Sequence, residues 1–262
     1  MSSEHRFADF DGVKVHYEAF GTGAKALVFI HGWACSVQMW RQSLREFPEY
    51  RVVAVDLPGH GRSDKPRTRY SMEYFARGIE AVLRDARIEA AVLVGHSMGT
   101  PVIRQFNRLY PERTLGLVAV DGQLQAVVAK EDSRRGVARI CANYPEEAPK
   151  LVESMLQPIR SEELRQNIRT IMLATPEHVG SSAAQASLDE SIWTQDPINV
   201  PTLAILAKDI PWWPADTEPR YRAIAPDLDF QLWPKVSHFL MMERPTAFND
   251  ALRVFVTSKK LL

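Results

Sequence analysis

Four short, almost uninterrupted apolar runs recur along the N-terminal half of the chain: Ala26–Ile30, Val52–Val55, Ala91–Val94 and Leu115–Val120. Strands that are apolar at every position, rather than at alternate ones, are buried on both faces of a sheet. Between the runs lie segments long enough for helices: Ser36–Phe47, Ser71–Arg87 and Met98–Tyr110. Strand and helix alternating in this way predict a parallel or mostly parallel sheet with helices on both faces. Only Val13–Phe20 alternates, with Val13, Val15 and Tyr17 set against Lys14, His16 and Glu18, as a half-buried antiparallel strand would.

The rhythm changes after Asp121. Residues 122–200 contain no convincing buried strand and show helix-like stretches at Ser133–Tyr144, Pro145–Leu156 and Ser161–Leu173, punctuated by prolines. The strand pattern returns at residues 201–207 and 229–233, and a helix over Pro245–Ser258 closes the chain. Residues 1–121 and 201–262 therefore read as one α/β core. Residues 122–200 read as a helical cap, because an insertion that leaves and re-enters one sheet is expected over its C-terminal edge, where open α/β sheets bind ligands.

Composition narrows the function classes. With 262 residues the chain can bury a large core without a structural metal or disulfides. Its 32 Lys and Arg balance 32 Asp and Glu, which argues against a nucleic-acid partner and against an anionic membrane surface. No apolar run approaches the roughly 18 residues that span a bilayer. The first residues lack the apolar stretch of a secretory signal, so a cytoplasmic location is expected. The two cysteines, Cys35 and Cys141, form no metal-binding spacing, and neither a metal nor a cofactor is expected. Nothing in the sequence indicates an oligomeric state.

The strongest chemical signal is Gly95-His96-Ser97-Met98-Gly99, a G-x-S-x-G placed between a buried run and a helical segment. Glycines two residues either side of Ser97 allow a sharp turn that lifts the hydroxyl above the sheet, beside the free N–H groups of a helix start. A second strand-end motif, Ile30-His31-Gly32-Trp33, offers another backbone donor. The N–H groups of Trp33 and Met98 are the expected oxyanion hole.

A serine nucleophile needs a base. Among the seven histidines, His5 and His16 fall in the N-terminal hairpin and His178 in the insertion, while His31, His60 and His96 sit in glycine-flanked turns that suit loop buttressing. His238 follows the last strand, at the same sheet edge as Ser97, and is the expected base. The base needs a carboxylate to orient it. Two candidates end strands and satisfy the order Ser…Asp…His: Asp209, which ends the strand before that of His238, and Asp121. Asp209 is expected and Asp121 is the alternative, while Asp56 suits loop bracing. Trp33, Trp193, Trp212, Trp213 and Phe239 are the expected substrate contacts, giving an apolar pocket lined with aromatic rings.

These motifs together, His31-Gly-Trp33, Asp56-Leu-Pro-Gly-His-Gly-Arg-Ser-Asp64, Gly95-His-Ser-Met-Gly99 and Val236-Ser-His-Phe-Leu-Met-Met-Glu-Arg-Pro245, resemble the α/β-hydrolase superfamily over essentially the whole chain. The resemblance implies the α/β-hydrolase fold: a mostly parallel, eight-stranded sheet flanked by helices, with a lid after strand six. It also implies an acid after strand seven, matching Asp209, although Asp209 lacks the glycine common shortly before that residue. Dehalogenases and epoxide hydrolases of this fold carry aspartate as nucleophile, so Ser97 points to acyl transfer. The expected substrate is a small to medium carboxylic ester. Carbon–carbon bond hydrolysis, cofactor-free haloperoxidase or perhydrolase chemistry, and a hydrolase-like small-molecule receptor are the alternatives.

Overall fold

The computed structural model describes residues 4–126 and 130–262. Its centre is an eight-stranded sheet in the order β1-β2-β4-β3-β5-β6-β7-β8. The strands are β1 (Glu4–Phe10), β2 (Val13–Phe20), β3 (Lys25–Ile30), β4 (Arg51–Val55), β5 (Ala90–His96), β6 (Thr114–Val120), β7 (Thr202–Ala207) and β8 (Leu228–Trp233). The β1–β2 and β2–β4 pairs are antiparallel, and every later pair is parallel. Asp11 and Gly12 join β1 to β2 with φ of 51° and 82°, the left-handed pair that a two-residue hairpin turn requires.

The apolar runs are continuous because both sides of the sheet are covered. Alternate residues of β3 divide between two core layers: Ala26, Val28 and Ile30 enter one, Leu27 and Phe29 the other. The first layer is closed by α1 (Met72–Asp85) and α2 (Gly99–Leu109), the second by α9 (Pro245–Ser258) with Phe248, Leu252 and Phe255. Three of the expected helices thus form close to the expected bounds. The segment Ser36–Phe47 does not become an α-helix. It makes one 3-10 turn at Val37–Trp40 and then further turns whose bonds span three residues, such as Ser43 N–H to Trp40 O at 2.8 Å. The Asp56 carboxylate draws the Val37 N–H out at 2.7 Å, and the Ser36 side chain takes that of Gln38, so helix propagation has no regular start.

Four helices stand between β6 and β7: α3 (Lys130–Ala142), α4 (Tyr144–Leu156), α5 (Glu162–Leu173) and α6 (Glu177–Ala186). Among the described residues their only core of their own is Ile140, Tyr144 and Ala148. Val152, Leu156, Ile168 and Met172 instead join the α9 layer, and Val179, Ala183 and Ala186 join the α1–α2 layer. Helix α6, which the sequence reading left unassigned, is short and rich in Ala, Ser and Gly, so its apolar stripe is weak. Residues 127–129 of the insertion lie outside the described residues. The chain closes with α7 (Thr217–Ile224), the one-turn α8 (Leu240–Glu243) and α9.

One side chain ties the insertion down. Arg104 of α2 is 1% exposed, and its guanidinium donates to the carbonyl of Leu124 where the insertion leaves the sheet. It also donates to the Thr194 carbonyl (2.5 Å) and the Asp196 carbonyl (3.1 Å), where the insertion returns. Arg108, one turn later, pairs with the Asp196 carboxylate at 2.6 Å. Burial, reinforced by Arg108, lowers the Arg104 pKa to about 10, which leaves it charged at neutral pH.

Candidate active site

Ser97 follows β5 directly and has φ of 53°, a left-handed conformation that a serine adopts only under constraint from its surroundings. Its flanking glycines supply that constraint. A Cβ on Gly95 would lie 2.4 Å from the Gly99 carbonyl oxygen, and one on Gly99 would lie 2.6 Å from that of Ile30. Strand and helix therefore approach more closely than any side chain permits, and the chain between them is forced through a tight elbow. Ser97 N–H donates to Val120 O (3.0 Å), and Ser97 O accepts from Thr100 N–H (2.9 Å). Both ends of the elbow are fixed, with Pro101 in the first turn of α2, where its missing N–H loses no bond.

His238 lies on the loop after β8, 5% exposed. Its Nδ1 is 2.6 Å from Oδ2 of Asp121, which is itself 1% exposed. The other oxygen, Oδ1, accepts from Ala207 N–H (2.8 Å) and Trp213 Nε1–H (3.0 Å). Asp121 follows β6, and its own N–H donates to Ile205 O (2.8 Å), extending the ladder with β7 by one residue. Its φ of 43° then turns the chain off that ladder.

Asp209, the acid expected from the sequence, does not reach the His238 ring; the alternative, Asp121, does. Asp209 is exposed, and its Oδ2 accepts from Lys235 N–H at 2.7 Å. Two residues past the end of β7 the chain has already turned outward. The carboxylate then holds the loop leading to His238 rather than its ring. It also walls a separate groove of about 950 Å³ that excludes both Ser97 and His238.

Ser97, Asp121 and His238 line a cavity of about 680 Å³, together with Trp33, Met98, Trp193, Trp212 and Trp213. The insertion contributes Ile140, Leu151, Met155 and Ala183 to the same walls, and the loop after β7 contributes Pro211 to Pro214. The loops after five strands, β3, β5, β6, β7 and β8, thus converge on one chamber, as expected at the C-terminal edge of a parallel sheet. Among the described residues, neither Trp33 N–H nor Met98 N–H donates to another protein group. The Trp33 indole donates to Gly180 O of α6 (2.8 Å), and the Trp193 indole to Ser187 O (2.8 Å). Trp212 is 38% exposed and meets the His238 ring edge-on at 4.9 Å. Phe239 stands apart from the other expected contacts. It is fully buried, 5.3 Å from the His238 ring and 5.5 Å from that of His96, and it faces a small separate space rather than the main cavity. It turns inward because it leads directly into α8, whose Leu240 and Met241 are core.

The glycine-flanked histidines buttress loops. His31 Nδ1–H donates to Gly32 O (2.8 Å), leaving Nε2 to accept from Leu57 N–H (3.0 Å), and burial lowers its pKa. His60 donates to Pro58 O (3.1 Å), and burial, with the nearby His31, lowers its pKa to about 3. Burial alone would raise the Asp56 carboxyl pKa. The bond from His16 (2.7 Å) and the N–H groups of Arg62 and Val37 outweigh it and leave the pKa lowered. Cys35 is 2% exposed, and burial pushes its thiol up to about 12, so it packs as a small apolar group.

Residues 25–245 match the family of the α/β-hydrolase fold. The chain belongs to that family. Over 265 residues it is 28% identical to a 2-hydroxy-6-oxononadienedioate/2-hydroxy-6-oxononatrienedioate hydrolase of Paraburkholderia phymatum, covering 93% of this chain and 91% of that one. Among solved structures, Est816, described as an N-acyl homoserine lactone degrading enzyme, aligns with a TM-score of 0.80 and 25% identity, over 97% of this chain and 100% of that one. A thermophilic esterase from Thermogutta terrifontis aligns over 99% of both chains with a TM-score of 0.83 and 24% identity, a likeness of fold. Other curated relatives match over 114 to 127 residues at 35–37% identity, and the chain spans 32–46% of their length. This α/β-hydrolase has a hydrolase among its curated relatives, and esterases among the solved structures that share its fold.

Proposed function

We propose that the chain cleaves small to medium carboxylic esters through an acyl-enzyme on Ser97, with His238 as base and Asp121 as the group that orients it. The observation carrying this reading is the buried 2.6 Å contact between His238 Nδ1 and Asp121, in the cavity that Ser97 also lines. With Nδ1–H donated to Asp121, the other ring nitrogen carries the lone pair that accepts the Ser97 proton. The alkoxide attacks the ester carbonyl, and the N–H groups of Trp33 and Met98 stabilise the oxyanion. His238 then returns the proton to the leaving alcohol. A water activated by the same histidine releases the acid. Ser97 is an alcohol rather than a carboxylate, so an alkyl-enzyme ester of the epoxide-hydrolase kind does not form at this position. The aromatic walls favour uncharged groups of moderate size.

Labelling with a serine-directed fluorophosphonate tests the reading. The wild type should label and hydrolyse short aryl esters, and Ser97→Ala should do neither. Equal rates in the two proteins would end the proposal. Carbon–carbon bond hydrolysis is the second reading, supported by the relative matched over 93% of this chain. It uses the same three side chains, and rapid decay of a 2-hydroxy-6-oxo-dienoate with poor ester turnover would favour it.

A further inference from the structure

A small space of about 20 Å³ adjoins Ser97 and His238, and its remaining walls include Gly32, His96, Met172 and Phe239. That is room for roughly one water-sized group. Met172 and Phe239 are apolar, and the Cys35 thiol beside them is already committed to Trp33 O at 3.3 Å. His96 differs. It is 1% exposed, and its Nε2–H donates to the backbone carbonyl of His238 at 2.9 Å. Its Nδ1 has no hydrogen-bond partner among the described residues. Burial, and after it the neighbouring His238, holds the His96 pKa well below the usual value, so the ring is neutral. With the proton on Nε2, Nδ1 carries a buried lone pair that no donor among the described residues meets. A Cβ on Gly32 would lie 3.0 Å from this nitrogen and 3.0 Å from Cβ of Ser97. The acceptor therefore stands beside the nucleophile, and the glycine keeps that corner open. A buried acceptor without a donor is unfavourable, and a ligand that brings one is selected.

We propose that this space receives the hydroxyl end of a short 2-hydroxyacyl group such as glycolyl, whose carbonyl carbon stays at Ser97 and whose hydroxyl donates to Nδ1 of His96. The inference rests on the ester-hydrolase reading of Ser97. In the acylation step the bond from Ser97 Oγ to the acyl carbon forms and the bond from that carbon to the alcohol oxygen breaks. The serine proton passes through His238 to the departing alcohol, and the 2-hydroxyl keeps its own proton throughout. The alcohol portion occupies the 680 Å³ cavity and varies freely in size, while the acyl portion does not.

Benzyl glycolate and benzyl propionate share an alcohol and nearly the same acyl volume, and differ in whether the acyl end carries a donor. Their kcat/KM values, each divided by its rate with hydroxide, should favour glycolate by about tenfold or more in the wild type. In His96→Gln, which can keep an N–H for the His238 carbonyl, the ratio should fall towards one. His96→Asn, which returns an acceptor to the Nδ1 position, should restore it. Absolute rates of both variants are free to fall, because the ratio is the readout. A wild-type ratio of one overturns the proposal without any variant, and so does a high ratio that survives His96→Gln. Labelled Ser97 with neither ester cleaved overturns the subsite alone. Unlabelled Ser97 with no ester cleaved removes the hydrolase reading beneath it.

Discussion

Asp121 and Asp209 are the same residue type at the ends of adjacent strands, yet one touches the His238 ring and the other holds a backbone amide outside the cavity. Replacing Asp121 by Asn should lower kcat about 10⁴-fold with little change in KM, because the tautomer of His238 is lost while the geometry stays. Asp209→Asn loosens one loop bond and should reduce kcat far less. Steady-state kinetics of the two variants on one ester separate the roles, and the reverse ranking would reinstate Asp209. Sequence carried the serine, the histidine and the choice between two acids, because each follows an apolar run and chain order is visible. It could not carry the choice itself. That depends on the φ of 43° at Asp121 and on donors from Ala207 and Trp213, which are near neighbours only in the folded chain. The lone pair on His96 Nδ1 was hidden for the same reason: the tautomer is set by the Nε2–H, which donates to a carbonyl 142 positions away.

At the level of elements, strands were the easiest to read and the insertion the hardest. Two-sided burial makes β3, β5 and β7 apolar at nearly every position, whereas α6 has few large apolar residues and is held by packing on α3 and α4 and by the core layer it shares with α1 and α2. The segment after β3 misled because its apolar spacing suits a helix while a distant carboxylate, Asp56, competes for its first N–H. Arg104 was equally invisible, since a helix pattern gives no hint that one arginine turns inward. Arg104→Met leaves the carbonyl of Leu124 without its donor and that of Thr194 with only the longer bond from Arg108 (3.3 Å), and should destabilise the fold by about 3 kcal/mol. If the contact also positions the cavity walls supplied by the insertion, KM should rise more than kcat falls. Urea melts and steady-state kinetics of the purified variant measure both effects.

Across the whole molecule, three buried neutral histidines make stability sensitive to acid. His31, His60 and His96 all have folded pKa values below the unfolded value of about 6.5, with His60 near 3. Above 6.5 neither state binds the extra protons and the folded state is unaffected. Below it the unfolded chain protonates and the folded one resists, so stability falls as pH drops from about 6.5 towards those lower values. Each histidine contributes up to about 1.4 kcal/mol per pH unit. Unfolding free energies from urea melts should therefore decline from pH 7.5 to pH 5, with a smaller decline in His60→Gln. A flat profile would contradict neutral burial of these rings. The overall architecture was legible because alternation of buried strands and helices leaves few topologies, while the internal pairing of its polar groups was not. The clamp at Arg104 bears on how such a molecule can diversify. It grips main-chain oxygens at Leu124, Thr194 and Asp196, and carbonyls are supplied by every residue type. Between those points the helices can be rewritten by mutation, or exchanged for those of another chain with matching necks, while the helix beginning beside Ser97 keeps the same attachment. A lineage holding that arginine can explore new substrates by replacing the roof of the chamber and leaving its floor untouched.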